Sequence, residues 1–373
     1  MHGQLIARDG FAQPKAAERV SIQYLRAVAA LMVAGVHLQP QLERLDHGGA
    51  WPQWLIGGVD IFFVISGFIM WLTTRGRPQT PLVFYRRRFR RIVPLYWLMT
   101  AFIVSVLLLA PDLLYSARLD PWHVLASFAF IPYPNPATGL LEPLLIPGWT
   151  LNYEMFFYLL FGAALLIPDR GRVIAVSVLL CAIVSLQALN PSPDTLLSFY
   201  TSSIILEFLL GIWIGVWHLR ERRRPTVHLS LTLLAGGFAA MGVLPTLWPE
   251  LPRLIGLGLP AAVIVAAALR LEQAGGIPDW RGLRLLGDAS YSLYLSHPLV
   301  LSAASRIWKQ MGLPGIGAPA WTFVPAAMAA CVAVAIALYL TVERPLATRR
   351  NLRRMPPPGR PAGAGDTGDE HSY

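Results

Sequence analysis

Ten stretches of 17–21 largely apolar residues, parted by short polar segments, take up most of this 373-residue chain. They fall at 22–39, 54–74, 92–110, 149–167, 173–189, 201–218, 229–247, 254–270, 291–308 and 321–341. A hydrocarbon core about 30 Å thick needs roughly 20 apolar residues per helix, so each stretch is a candidate membrane span. The composition agrees, with 55% hydrophobic and 14% charged residues, where a soluble domain carries about 25% charged. Too few polar side chains exist to cover such a chain against water. The expected fold is all-α, a polytopic membrane helix bundle of about ten transmembrane helices. A further apolar stretch at 121–133, PWHVLASFAFIPY, is short and suits a re-entrant or interfacial segment.

Charge gives the orientation. With the N-terminus inside, 25 of the 31 Lys and Arg residues fall on inward segments and four on outward ones, Arg44, Arg118, Arg253 and Lys309. This asymmetry is the positive-inside signal, and it predicts both termini on the cytoplasmic side. It also accounts for the net charge of +10 without nucleic acid as a partner, since no soluble basic helix with interleaved aromatics is present. Cys181 and Cys331 both lie in apolar runs, so neither a disulfide framework nor a metal-ligand spacing is expected. Residues 1–20 read as a polar cytoplasmic segment without a cleaved signal peptide, 21–346 as the membrane domain, and 347–373 as a basic, then Pro/Gly-rich tail, disordered from Pro356. No internal repeat is visible.

Ionisable residues inside spans are costly, about 2.5–3.5 kcal/mol on insertion scales, and mark candidate functional positions. Arg26 and His37 share the first apolar stretch. Eleven residues is close to three turns, so they lie on one helical face about 16 Å apart, Arg26 toward the cytoplasm and His37 toward the outer surface. Snorkelling of Arg26 and an interfacial position for His37 are the plainer alternatives. Asp60, in GGVDIFFVISGFIM, falls in the outer half of the second span; it can orient a neutral imidazole and stabilise its charged form, or pair structurally with another helix. Ser66 and Gly67 read as a close-packing notch. In FYRRRFRRIVPLYW, Arg87, Arg88 and Arg91 stand at the inner interface, spaced so that two or three guanidinium groups share a face that suits phosphate oxygens; an ordinary positive-inside cluster is the alternative. Glu154, in PGWTLNYEMFFYLLF, lies within the fourth span at the expected depth of His37. Glu207 is a weaker case of the same kind, and His297, before Pro298 in the ninth span, either lines the same cavity or is a structural histidine. The result is an inner layer of Arg26, Arg87, Arg88 and Arg91 and an outer layer of His37, Asp60 and Glu154. A substrate phosphorylated at one end and reactive at the other would meet both.

Six motifs in order, IQYLRAVAALMVAGVH, GVDIFFVISGF, FYRRRFRRIVPLYW, PGWTLNYEMFFYLLF, LGDASYSLYLSHP and VERPL, resemble those of the acyltransferase-3 family of integral-membrane acyltransferases. The likeness runs from about residue 21 to 346 and is greatest to the branch that acetylates bacterial exopolysaccharides. It implies about ten membrane helices in the inner (plasma) membrane, acetyl-CoA or another acyl-CoA bound from the cytoplasm, no metal, and a sugar or polysaccharide hydroxyl as acceptor. Polysaccharide biosynthesis proteins are then expected partners beside the lipid bilayer. By motif position, His37 matches the family's essential histidine, Arg26 its first-helix arginine, Arg88 and Arg91 its RxxR pair, and Glu154 the glutamate after the Trp-Ser/Thr-Leu motif. Where many relatives carry Leu-Asp, this chain has Ile22-Gln23, which removes any role for an acid there. The implied activity is O-acylation with His37 as general base, Asp60 or Glu154 orienting it, and arginines holding CoA phosphates. The rival from another class is a proton-coupled transporter or glycan-lipid flippase using the same buried groups.

Overall fold

The computed structural model describes residues 19–110, 117–189, 195–221, 225–313 and 320–346. The segments 1–18 and 347–373, expected as polar N-terminal segment and tail, lie outside the described residues.

Fourteen helices follow one another among the described residues: α1 (Val20–Val36), α2 (Gln39–Arg44), α3 (Gly58–Thr74), α4 (Pro81–Leu109), α5 (Pro121–Ala129), α6 (Gly148–Ala164), α7 (Asp169–Ser185), α8 (Leu196–Thr201), α9 (Leu206–Arg220), α10 (Val227–Leu247), α11 (Leu259–Gln273), α12 (Arg281–Asp288), α13 (Ser290–Gln310) and α14 (Ala320–Leu338). A 3₁₀ turn, Gln53–Gly57, leads into α3, and single π turns precede α11 (Leu254–Gly258) and follow α14 (Tyr339–Glu343). No strand forms among the described residues; one isolated bridge joins Pro134 to Leu141.

All ten apolar stretches are helical. Eight helices among the described residues are long and apolar enough to cross a bilayer. The two that fall short are α6, with 17 residues, and α13, whose apolar face is diluted by serines, His297, Arg306 and Lys309. Both contribute polar side chains to the candidate site. The short stretch at 121–133 contains α5, nine residues, too few to cross.

Burial sorts the helices into an inner and an outer set. The apolar windows of α1, α3 and α11 are 61–72% buried, those of α7, α10 and α14 only 17–22%. A helix apolar all round belongs in an interior or in lipid; here α1 is enclosed by α3, α11, α12 and α13, while the outer helices turn leucines and valines outward. Small residues permit the close approach. A Cβ on Gly67 would overlap the Phe208 carbonyl, and one on Gly211 the Val64 carbonyl, so α3 and α9 touch backbone to backbone through reciprocal glycines. Gly67 is therefore the notch expected, whereas Ser66 turns to Glu154.

Helix α4 explains the place of the arginines. Its 29 residues span about 43 Å at 1.5 Å per residue, well beyond the hydrocarbon thickness. The Thr80 side chain caps it, accepting from the Val83 N–H at 3.4 Å, and Pro81 opens its first turn. A helix of this length has room for its arginine-rich first turns outside a bilayer core.

Candidate active site

A cavity open to the surface lies between α1, α3, α4, α6 and α13. Thr150, Glu154 and Tyr158 recur every four residues and present one face of α6 to it. Arg26 enters from α1, Ser66 from α3, Arg91 from α4, and Ser290, Tyr291 and Tyr294 from α13, against an apolar wall that includes Phe62, Phe63 and Met70. Glu154 accepts hydrogen bonds from the Ser66 hydroxyl at 3.1 Å and from the Tyr158 hydroxyl. Arg26 donates to the Gln23 side chain at 3.3 Å and feels the charges of Arg91, Glu343, Asp288 and Glu154. Glu343, from the VERPL motif, is held by the Ser292 hydroxyl at 2.7 Å. The Tyr294 hydroxyl meets Thr150 at 2.7 Å, and Tyr291 donates to the Ile92 carbonyl at 2.7 Å, tying α13 to α6 and α4.

The arginine cluster divides. Arg88 donates to the Thr73 hydroxyl at 3.3 Å and lies over the Phe84 and Tyr158 rings at 5.5 and 5.8 Å. Its Nε is buried without a partner. Arg91 is exposed at the cavity. Arg87 instead donates to Gln79 at 2.9 Å and shares a separate surface recess with Arg86 and Arg90. At about 100° per residue, Arg91 falls between Arg87 and Arg88. Arg91 lines the cavity, Arg88 lies over the ring of Tyr158, which lines it, and Arg87 goes to the other face. The inner layer is thus Arg26, Arg88 and Arg91, without Arg87.

His37 does not line this cavity. It ends α1, half-buried, with Nδ1 at 2.7 Å from the Val33 carbonyl. A carbonyl can only accept, so Nδ1 carries the proton and Nε2 keeps its lone pair. The neighbour of the ring is His297, centroid to centroid 4.9 Å. Tyr294 joins the two regions: it lines the cavity, and its ring lies 6.0 Å from that of His297.

Asp60 is elsewhere engaged. Fully buried, it receives Arg253 side-on, Nε to Oδ1 at 3.1 Å and Nη2 to Oδ2 at 2.8 Å. Asp60 accepts no hydrogen bond from His37, because a buried carboxylate takes the strongest donor in reach, here the planar guanidinium of Arg253. Glu207, also fully buried, stands beside this pair, and Arg253 lies over the Trp149 ring at 5.9 Å. Glu154, expected at the depth of His37, shares its cavity with Arg26 and Arg91 instead. Sequence reasoning missed Arg253, Tyr158 and Glu343. For Arg253 a signal existed: it is one of four cations on the side where cations are scarce.

A family model described as an acyltransferase domain matches residues 19–340, which span the cavity, the arginines and both histidines. The chain belongs to this acyltransferase-3 family. Among its relatives, the exopolysaccharide production protein ExoZ of Rhizobium meliloti (strain 1021) is 41% identical over 303 residues, covering 80% of this chain and 91% of ExoZ. The acyltransferase MdmB of Streptomyces mycarofaciens is 28% identical, covering 92% of this chain and 97% of MdmB. The O-acetyltransferase OatA of Staphylococcus aureus (strain NCTC 8325) is 25% identical, covering 70% of this acyltransferase but 49% of OatA. No solved structure matches it. The acyltransferase is thus a multi-pass helical protein whose helices α1, α3, α4, α6 and α13 bring Arg26, Ser66, Arg91 and Glu154 together in one largely apolar cavity.

Proposed function

We propose that this acyltransferase moves an acetyl or other short acyl group from cytoplasmic acyl-CoA to a sugar hydroxyl of an exopolysaccharide, lipopolysaccharide or related lipid-linked glycan. It does so as a multi-pass protein of the inner (plasma) membrane with both termini cytoplasmic. The observation that carries this reading is the cavity that gathers Arg26, Arg91 and Glu154, linked through Tyr294 and His297 to the imidazole of His37, whose Nδ1 is held by the Val33 carbonyl. The name of ExoZ, an exopolysaccharide production protein, supports a polysaccharide acceptor.

The cavity suits an acyl-CoA. Arg88 has a buried Nε with no acceptor, and the Ser290 hydroxyl, on the cavity wall, is buried without a partner; phosphate oxygens and an amide group would satisfy such donors. Arg88 and Arg91 would hold the phosphates and Arg26 the end nearer the membrane interior. The thioester supplies an acyl group already activated for transfer. His37 Nε2 removes the proton of the acceptor hydroxyl, whose oxygen attacks the acyl carbon. The C–O bond forms as the C–S bond breaks, and the leaving sulfur ends as a thiol. General-base assistance of this kind contributes about 10²–10⁴-fold. Glu154 fixes Ser66 and Tyr158 and balances the arginines. Asp60 anchors Arg253 at the outer end of the bundle, which makes it a support of the site rather than the orienting partner of His37.

The test is CoA release from acetyl-CoA by purified protein in nanodiscs, with and without an extract of lipid-linked glycan, beside His37→Ala. Glycan-dependent release that His37→Ala abolishes is the expected result. Near-wild-type transfer by a normally inserted His37→Ala protein would overturn the assignment of the base. Glycan-lipid movement without thioester consumption would favour the flippase reading.

A further inference from the structure

The arginines that turn away from the cavity have a surface of their own. Val83, Arg86, Arg87 and Arg90 line a recess on α4, and all four are exposed. Spaced at i, i+3, i+4 and i+7, they share one face of the helix. Gln79 steadies Arg87, accepting from its Nη1 at 2.9 Å. Among the described residues no carboxylate pairs with any of these three guanidinium groups. A cation that acts only as a topology signal needs neither a recess nor an orienting partner, so orientation in the membrane does not account for this geometry. The same face runs on into the apolar part of α4. Trp97, Ala101 and Leu108 follow Arg90 by about two, three and five turns, and each is exposed. The indole N–H of Trp97 donates to the Phe128 carbonyl at 2.9 Å, which leaves the exposed part of the ring apolar.

We propose that the recess of Arg86, Arg87 and Arg90 is a binding site for one anionic phospholipid of the leaflet beside the arginine-rich turns. The headgroup phosphate accepts charge-assisted hydrogen bonds from the guanidinium groups. An acyl chain lies along Trp97, Ala101 and Leu108. The dimensions agree: at 1.5 Å per residue Trp97 stands about 10 Å and Leu108 about 27 Å beyond Arg90, within one leaflet and at the far side of a hydrocarbon core about 30 Å thick, so the chain covers the first part of the track. A cationic end and an apolar track on one helical face match the two ends of a lipid, whereas a soluble phosphate compound has no use for the track. Three cations without a counter-charge favour a headgroup of net negative charge over a zwitterionic one. The bound lipid fixes the depth of α4, and with it Arg88 and Arg91, which stand on the same turns and face the cavity side. The site is separate from the chemistry of acyl transfer and does not depend on which residue acts as base.

The experiment titrates the purified full chain in detergent with phosphatidylglycerol or phosphatidylcholine and counts bound lipid by native mass spectrometry. Wild type is compared with two triple variants. One carries Arg86→Gln, Arg87→Gln and Arg90→Gln; the other carries Arg170→Gln, Arg220→Gln and Arg281→Gln, which removes the same charge from exposed arginines on other inward segments. One phosphatidylglycerol is expected to bind wild type and the second variant saturably, and the recess variant at least about tenfold more weakly. Phosphatidylcholine should bind more weakly than phosphatidylglycerol to wild type. An equal loss in both variants would show diffuse attraction to net charge and overturn the site. Displacement of the lipid by inorganic phosphate, but not by chloride at the same ionic strength, would make it a site for soluble phosphate and overturn the lipid. A rise in acetyl-CoA KM in the recess variant as large as that of Arg91→Ala would give the recess to the acyl donor instead. If the recess variant fails to insert, the wild-type isotherm and Arg90→Gln decide. Saturation at one phosphatidylglycerol, weakened by Arg90→Gln, sustains the site, and lipid uptake that never saturates overturns it.

Discussion

Arg253 grips Asp60 through two hydrogen bonds, of 3.1 and 2.8 Å, across 193 residues of chain. The contact joins α3 to the segment before α11, and Glu207 on α9 adds a second carboxylate beside it. Breaking a buried pair from one side costs about 3–5 kcal/mol. Because the Arg253 side chain is 31% exposed, solvent screening brings the expected loss for Arg253→Met nearer the lower end of that range or below it. The thermal midpoint in detergent at neutral pH should fall accordingly. An Arg253→Met protein as stable as wild type at neutral pH would mean the pair contributes nothing.

The backbone contact of α3 with α9 leads to a second expectation. A Cβ at Gly67 meets the Phe208 carbonyl and one at Gly211 meets the Val64 carbonyl, whereas a Cβ at Gly236 on α10 meets nothing within 4 Å. Alanine favours a helix over glycine by about 1 kcal/mol. Gly236→Ala should therefore hold or raise the thermal midpoint. Gly67→Ala and Gly211→Ala must push two helices apart and should lower it sharply, with folded yield falling as well. Equal behaviour of the three variants would show that the two helices can separate without penalty.

Much of this architecture is legible in the sequence because apolar run length and charge asymmetry are local properties. Every expected span is a helix, and α13, the span most diluted by serines and charged residues, lends Ser290, Tyr291 and Tyr294 to the cavity. The rotational position of a residue on its own helix is legible too, which is why Thr150, Glu154 and Tyr158 share a face. What the sequence does not carry is which helix a face meets. Asp60 was paired with His37 by depth, but Arg253, 193 residues away, reaches it first. The spacing of Arg87 and Arg88 to Arg91 puts all three near one face, yet the step of about 100° between Arg87 and Arg88 sends those two to different surfaces. His297 lies against His37 because α13 packs on α1, a pairing that no periodicity encodes.

Glu154 is the carboxylate on which the cavity converges. It accepts from Ser66 and Tyr158, on α3 and on its own helix, and offsets Arg26 and Arg91. Glu154→Gln keeps the size and removes the charge, leaving the arginines mutually repelling. Acetyl transfer should fall by about 10²-fold or more, in line with the loss of a polar group aimed at a reacting centre, in protein that still inserts. Tyr158→Phe and Ser66→Ala each remove one neutral donor, a contact of about 0.5–1.5 kcal/mol, and should cost less than about tenfold. The CoA-release assay reads all three. A Glu154→Gln enzyme no worse than Tyr158→Phe would reduce Glu154 to a packing residue.

The division of the arginines makes the sharpest prediction about the donor site. Arg91 lines the cavity and Arg88 lies over its Tyr158 ring, while Arg87 turns to Gln79, Arg86 and Arg90. A hydrogen bond to a charged group contributes about 1.5–3 kcal/mol, which corresponds to a roughly 10- to 150-fold change in affinity. Arg88→Ala and Arg91→Ala should each raise the acetyl-CoA KM by at least about tenfold, the larger effect falling on Arg88, whose Nε is buried and otherwise unpartnered. Arg91 is exposed, so its contribution should shrink as salt is raised. Arg87→Ala should leave KM within about twofold, because a surface charge facing away from the ligand contributes little. The comparison is made on KM rather than on yield, which isolates binding from any effect of lost positive charge on membrane insertion. An Arg87→Ala defect as large as that of Arg88→Ala would mean that the donor's phosphates lie on the outer recess with Arg86 and Arg90, and that the cavity between α1, α6 and α13 serves the acceptor alone.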